Sequence, residues 1–335
     1  MKAIVLVAGV GSKLLQPSHI QPKTLLPLAE KPILGHIIDD FVKAGVEDFV
    51  FVIGALGYRI QQFVHLHYHK KIRYEFAVQE PRLGSAHAVW AARHTFEKEQ
   101  EILIVFGDAL SSINGKKFVN SKLSAVGITK VDNPSSFGIV EVDKENFVRK
   151  MTEKPKIPKS NWALVGLYKI TNVSLLLNTI ETHIQQQKTA QGEYLLTNVL
   201  AEMLSRGESF AAVEVNHWYD CSKKNTLLEA NEMLLKRDEF MTVDTSRFHN
   251  CIFIPPVSLP KNCVIQNSII GPNVTIGNGA VIDTCILRDS IVGTNGQVHN
   301  AVLRRTIVGN DASVRGAYRT LNVSDEAAVD MQGSM

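Results

Sequence analysis

Residues 1–35 read MKAIVLVAGVGSKLLQPSHIQPKTLLPLAEKPILG, and the fold turns on how this stretch is read. It opens with an apolar run, Ala3 to Val7, rich in β-branched residues and too short for a helix, so it reads as a buried parallel strand. The run breaks at Gly9-Val10-Gly11-Ser12, where glycine lets the chain turn sharply and successive backbone N–H groups converge on an anion. Lys13 follows at once, and Pro22-Lys23 brings a second cation ten residues later. A strand feeding a glycine turn with two spaced lysines is a place to hold a polyphosphate. Two familiar phosphate loops are excluded. The string Gly-x-x-x-x-Gly-Lys-Ser/Thr is absent, and Leu14 stands where a dinucleotide fingerprint needs its third glycine.

Working outward, strand-like and helical runs alternate through residue 240. Phe49–Ile53 and Ile102–Phe106 are short apolar runs of strand type, while Ile37–Ala44 and Ser85–Phe96 have the apolar spacing of helices. Such alternation predicts an α/β fold, a mostly parallel sheet with helices on both faces. Ligands on such sheets sit at the carboxyl ends of the strands, where the Gly9–Gly11 turn falls. In Gln79-Glu-Pro81-Arg-Leu-Gly84-Ser85-Ala86-His87-Ala88, a glycine opening a helix lets a planar group approach the backbone, and a glutamine can pair with an imide edge. A loop glutamine beside a helix cap would read the same way. Asp108 ends Ile102–Asp108, a carboxylate just past a buried strand, well placed to hold Mg²⁺ beside phosphates; strand-end aspartates also serve simply as turn residues.

At 335 residues the chain is long enough for two domains. Apolar residues at 45% and charged ones at 21% are ordinary for a globular protein, and a net charge of +3 without a basic block argues against nucleic acid. No apolar run reaches the ~18 residues of a membrane span, and the first ten residues already form a strand, so neither a span nor a signal peptide is expected. Cys221, Cys251, Cys263 and Cys285 show no Cys-x-x-Cys spacing, which fits reduced thiols in the cytoplasm. His65, His67 and His69 alternate, and in a strand they would face one way as metal ligands do; with no acidic or cysteine partner nearby, a polar edge or loop is the expected setting.

The tail follows another rule. Val264, Ile270, Ile276 and Ile282 recur every six residues; Ile286, Val292 and Val298 do so after a four-residue break, and Val302, Val308 and Val314 after another. Six-residue aliphatic periodicity predicts a parallel β-helix with three short faces per coil. The boundary is expected near Arg237–Phe248, giving a domain over 1–240 and a β-helix over 249–330. Open coil edges favour assembly as a homo-oligomer.

The motifs together resemble the signature of sugar-nucleotide pyrophosphorylases: Gly9-Val-Gly11-Ser12-Lys13-Leu14, Pro22-Lys23-Thr-Leu25-Leu-Pro27 and Lys31-Pro32-Ile33. Further stretches are similar to the same family in the same order: Gln79 to Ala88, Gly107-Asp108, Ser136-Phe-Gly138, Glu153-Lys154-Pro155, Asn161 to Gly166, and Trp218-Tyr219-Asp220-Cys221-Ser222 before Leu227-Leu-Glu-Ala-Asn231. With the β-helix, the chain looks most like the long-form glucose-1-phosphate thymidylyltransferases. That resemblance implies a Rossmann-like nucleotidyltransferase domain followed by a left-handed parallel β-helix of hexapeptide repeats. It implies transfer of a nucleotidyl group from dTTP or UTP to a sugar 1-phosphate, with Mg²⁺ held by Asp108 and Asp220 and catalysis by Lys13, Lys23 and the two aspartates. Ala8, Gly9, Gly11, Ser12, Gln79 and Gly84 would bind the nucleotide, and Gly138, Glu153, Lys154 and Gly166 the sugar phosphate. Two positions depart from the pattern: Lys13 replaces arginine, and Ser222 replaces a glycine, which would strain the loop if positive φ were needed there. The alternatives are a GTP-using mannose-1-phosphate guanylyltransferase and a non-catalytic regulatory subunit that binds nucleotide sugar.

Overall fold

A computed structural model of the chain describes residues 1–9, 22–111, 115–242, 244 and 246–316. It divides into two compact units, Met1–Lys236 and Arg237–Met335. In the first, the strands in chain order are β1 (Lys2–Leu6), β2 (Pro27–Leu28), β3 (Lys31–Pro32), β4 (Asp48–Ile53), β5 (Arg73–Val78), β6 (Ile102–Phe106) and β7 (Ala109–Ser111). Then follow β8 (Ser124–Lys130), β9 (Gly138–Val142), β10 (Val148–Glu153), β11 (Trp162–Ile170), β12 (Phe210–Glu214) and β13 (Trp218–Asp220). The helices are α1 (Ile33–Lys43), α2 (Gly57–Tyr68), α3 (Ser85–Ala91), α4 (Gly115–Val119), α5 (Val173–Gln185), α6 (Leu196–Ser205) and α7 (Lys224–Leu235).

Nine of these strands make one sheet. β1 lies between β4 and β6, both parallel to it, with Ile4 opposite Val50 on one side and Ile104 on the other. β5 extends the parallel half beyond β4, while β11 begins an antiparallel half beyond β6. One edge of β11 carries β8, and β12 joins β8 in parallel. Its other edge pairs with β9 at Trp162–Ala163 and with β6 at Leu167–Ile170, so the strand passes from one neighbour to the next at Gly166. Ile4, Val50, Val52, Ile102 and Ile104 pack into a core with residues of α3, α5 and α6, among them Val89, Leu176, Ile180 and Val199. The intervening Ala3, Val5, Phe49, Phe51 and Leu103 are equally buried, so both faces of the sheet are covered, as a parallel sheet requires. The Asn172 side chain caps α5 by accepting from the Leu175 amide at 3.1 Å.

Two local expectations change. The helix expected over Ser85–Phe96 ends at Ala91, and a tighter 3₁₀ turn covers Arg93–Thr95. The histidines expected on a strand edge or loop lie at the end of α2, with His69 as its C-cap. There Val64 and Tyr68 are buried four residues apart while the histidines are exposed, so the helical apolar spacing decides the conformation.

The second unit is a parallel β-helix. Its strands are β14 (Ile252–Phe253), β15 (Val257–Ser258), β16 (Val264–Gln266), β17 (Ile269–Ile270), β18 (Val274–Ile276), β19 (Val281–Asp283), β20 (Ile286–Arg288), β21 (Ile291–Val292), β22 (Gln297–His299), β23 (Val302–Arg304), β24 (Ile307–Val308) and β25 (Ser313–Arg315). Every third strand pairs in parallel, giving three four-stranded faces. The hexad reading needs one correction. Val264, Ile286 and Val302 are 54%, 43% and 76% exposed, and the residues packed inward are their neighbours Ile265, Leu287 and Leu303. The pairing Ile252↔Ile269↔Ile286↔Val302 shows coils of 17 or 16 residues, too short for three hexads. Some faces therefore take five residues, and in a strand a shift of one residue exchanges inside for outside. Asn250, Asn267, Thr284 and Asn300 recur at coil spacing with positive φ, a corner conformation that asparagine tolerates. Asn250 Nδ2 donates to Asn267 Oδ1 at 3.0 Å, and Asn267 Nδ2 to Asp283 Oδ1 at 3.2 Å, tying successive coils.

Candidate functional site

In the first unit, a cleft of about 580 Å³ opens at the carboxyl ends of β1 and β6 and beside the end of β5. Leu6 to Gly9 form one wall, Phe106 and Asp108 another, and Gln79, Arg82, Gly84 and Ser85 a third. Val7 leaves β1 with its amide donating to Val52 O at 2.9 Å, which fixes how the turn departs from the sheet. Gly11, Ser12 and Lys13 lie outside the described residues.

Lys23 sits in a short 3₁₀ turn and is 7% exposed, its Nζ 2.6 Å from Asp108 Oδ2. Burying an ammonium requires such a partner, and the Asp108 side chain, 37% exposed, reaches into the cleft. β7 folds back on β13, with Asp220 opposite Ala109, and the Cys221 amide donates to Asp108 O at 3.0 Å. This ribbon brings Asp220 alongside Asp108. Burial pushes the Cys221 thiol far above its usual value, and the carboxylates of Asp108 and Asp220 push it further. Asp220 Oδ1 accepts from the Ser222 amide at 3.0 Å, while Thr226 Oγ1 donates to Asp220 O and closes the turn into α7. Ser222 lines the cleft without a positive φ, so the strain expected of a serine there does not arise.

On the opposite wall, Gly84 has φ 101° and ψ 178°, a conformation open essentially to glycine alone. A Cβ there would lie 2.5 Å from Tyr194 O. The segment is fastened to residues far along the chain: Tyr194 N donates to Leu83 O at 2.7 Å, Ala86 N to Tyr194 O at 2.9 Å, and Leu196 N to Ser85 Oγ at 2.9 Å. Gln79 is 5% exposed, and its Nε2 donates to Gly84 O at 2.9 Å and lies 3.4 Å from His87 Nδ1. Burial lowers the His87 pKa and keeps the ring neutral, able to accept there. The Gln79 amide N–H groups are thus used within the loop, which leaves Oε1 as the acceptor for a ligand.

Gly138, Glu153 and Lys154 form a second group where β9 meets β10. Gly138 pairs with Glu153, and a Cβ on the glycine would come within 3.0 Å of Glu153 Oε2. Lys154 is exposed, with Nζ 3.9 Å from Glu153 Oε1. Gly166, at φ 80°, links the two groups: its missing Cβ makes room for Phe106, a cleft residue, at 2.8 Å. Trp218 Nε1 donates to Val165 O at 3.1 Å and ties the same bend to the strand that carries Asp220. The structure therefore gathers Ala8, Gly9, Lys23, Gln79, Gly84 and Asp108 at the cleft with Asp220 beside it, while Gly138, Glu153 and Lys154 lie at the β9–β10 pairing. Sequence reasoning missed Thr24, Arg82 and Glu193, which also line the cleft. Arg82 stands inside the Gln79–Gly84 motif and was open to notice; Glu193 arrives only through the Tyr194 contacts, which leave no local signal.

Among the described residues, no group of three or more histidine, cysteine, aspartate or glutamate side chains could hold a metal alone, and no helix is long and apolar enough to cross a membrane. Residues 2–237 match the nucleotidyl transferase family. The bifunctional protein GlmU of Methanococcus vannielii is 31% identical over 243 residues, 70% of this chain and 55% of that one. The glucose-1-phosphate thymidylyltransferase of Streptomyces antibioticus is 27% identical over 306 residues, 84% of each. The chain thus spans about half the length of the first relative and most of the second. Among solved structures, UDP-glucose pyrophosphorylase complexed with UDP-glucose shares the fold, with a TM-score of 0.61 at 20% identity over 70% of this chain and 98% of that one.

Proposed function

This chain belongs to the nucleotidyl transferase family, and on that premise we propose that it transfers the nucleotidyl group of dTTP or UTP to a sugar 1-phosphate, with glucose 1-phosphate as the sugar. The observation that carries the reading is the buried Lys23 ammonium on Asp108, with Asp220 beside it, at the mouth of a strand-end cleft. An oxygen of the sugar phosphate attacks the α-phosphorus, the bond to the β-phosphate breaks, and pyrophosphate leaves with that electron pair. The nucleophile is already anionic, so no general base is needed. The difficulty is bringing two anions together, and catalysis rests on positioning and charge neutralisation.

Lys23 would reach from Asp108 towards the approaching phosphates, where a desolvated ammonium acts strongly. The Asp108 and Asp220 carboxylates are hard oxygen donors, too few to hold a metal without help. This suits Mg²⁺, which binds through one or two carboxylates and completes its shell with phosphates and water. When bound, Mg²⁺ supplies positive charge at the α-phosphate. Gln79 Oε1 would accept from the imide N–H common to thymine and uracil. Backbone N–H groups from Gly9 to Ser12 would cradle the outer phosphates, and Lys13 would meet the leaving pyrophosphate. Glu153 would accept from sugar hydroxyls, Lys154 would meet the sugar phosphate, and Gly138 and Gly166 would leave space for the ring.

The test is Mg²⁺-dependent pyrophosphate release across four nucleoside triphosphates and several sugar 1-phosphates. We expect dTTP or UTP with glucose 1-phosphate to lead. Asp108→Asn and Asp220→Asn should each lower turnover about a hundredfold or more, with the circular dichroism spectrum unchanged. Near-normal rates in either variant would remove that residue from the site. Preference for GTP with mannose 1-phosphate would favour a guanylyltransferase, and nucleotide binding without turnover a regulatory subunit.

A further inference from the structure

α2 ends in His65-Leu66-His67-Tyr68-His69, outside the cleft and unused by the chemistry above. Helical spacing places His65 and His69 one turn apart on one exposed face, with their rings stacked 5.4 Å apart at 29°. Both Nδ1 atoms are occupied. His69 Nδ1 lies 2.8 Å from His65 O, and because a carbonyl only accepts, that nitrogen carries the proton and the lone pair sits on Nε2. His65 Nδ1 lies 2.9 Å from the Tyr74 hydroxyl on β5, a partner that accepts equally well. A ring whose Nδ1 is held by a hydrogen bond while Nε2 faces water is the form in which histidine binds metals. His67 is turned to another side of the helix, with its ring 4.7 Å from that of Phe63.

We propose that His65 and His69 form a surface site for a divalent transition metal, binding through the two Nε2 atoms with water completing the shell. Imidazole selects Cu²⁺, Ni²⁺ and Zn²⁺, with Cu²⁺ the tightest, whereas Mg²⁺ prefers oxygen. The two metal preferences thus separate within one chain, hard carboxylates in the cleft and imidazoles on α2. A dication at the carboxyl end of a helix is also favoured by the helix dipole, and a clip across the last turn would hold that end against fraying.

The experiment uses the full chain without an affinity tag. Calorimetric titration with NiCl₂, and electron paramagnetic resonance with CuSO₄, should show one site per chain, the copper spectrum carrying splitting from imidazole nitrogen. His65→Ala or His69→Ala should weaken binding about tenfold or more, because a chelate becomes a single ligand. His67→Ala should leave it unchanged, and any heat from MgCl₂, which belongs to the cleft, should be unaltered by His65→Ala or His69→Ala. All three side chains are exposed, so the variants should fold, and circular dichroism checks this. Binding unmoved by both His65→Ala and His69→Ala, equal loss in His67→Ala, or no binding by wild type below millimolar metal would each overturn the proposal.

Discussion

Among the described residues lining the cleft, Lys23 and Asp108 form an oppositely charged pair 2.6 Å apart. In the proposed reaction Asp108 offers its other carboxylate oxygen to a divalent cation while Lys23 meets the arriving phosphates. Lys13, ten residues before Lys23, lies outside the described residues. Where the family resemblance has arginine, a planar fork can hold two phosphate oxygens at once; lysine keeps the charge but acts as a point donor. A lost charge-assisted hydrogen bond is worth ~1.5–3 kcal/mol, roughly ten- to a hundredfold in rate. We therefore expect an active but slow enzyme in which Lys13→Arg raises kcat more than it lowers the nucleotide KM. Steady-state kinetics on both proteins decides this, and unchanged or reduced turnover in the variant would show a site reorganised around lysine.

Among the elements, β20 shows how a period can be legible and its phase not. Ile286 and Leu287 are adjacent aliphatic residues, and the six-residue count selects Ile286, yet Leu287 is fully buried while Ile286 is 43% exposed. Side chains alternate along a strand, so only the true coil length says which of the two is inside. Leu287→Ala should cost about 2–5 kcal/mol, the usual range for emptying a packed position, and Ile286→Ala less than about 1 kcal/mol. Urea midpoints of the two variants measure the difference. Equal losses would mean that the two residues share the burial. The histidine run on α2 makes the same point from the other side. The alternating histidines read as a polar edge or loop, but the buried pair Val64 and Tyr68 sets a helical face, and only then do His65 and His69 become neighbours.

For the whole molecule, one relative is a bifunctional protein about half of whose length this chain matches, and its name raises the question of a second activity. Between Val264 and Val314 the only histidine is His299, on β22 opposite Asp283 of the coil before. Among the described residues the β-helix comprises a few coils with Asn- and Gly-containing corners, which suits a structural role. We expect the intact chain to transfer no acetyl group from acetyl-CoA to an amino-sugar phosphate, measured as release of free CoA; CoA release that depends on the sugar phosphate would refute this. What the sequence by itself determined is local: a short buried strand at the start of the chain, cations at fixed spacing, a glycine at the opening of a helix, and a repeat that only a β-helix satisfies. Each of these is written in neighbouring residues, because backbone preference and side-chain period act over a few positions. The tertiary structure alone decided that Asp108 and Asp220 share one ribbon, that Glu193 joins the cleft through Tyr194, and that Gly138 lies opposite Glu153 across the β9–β10 pairing. It also decided which aliphatic of each β-helix pair turns inward. These outcomes depend on strand pairing between distant segments and on the summed length of each coil, which no short stretch of chain contains.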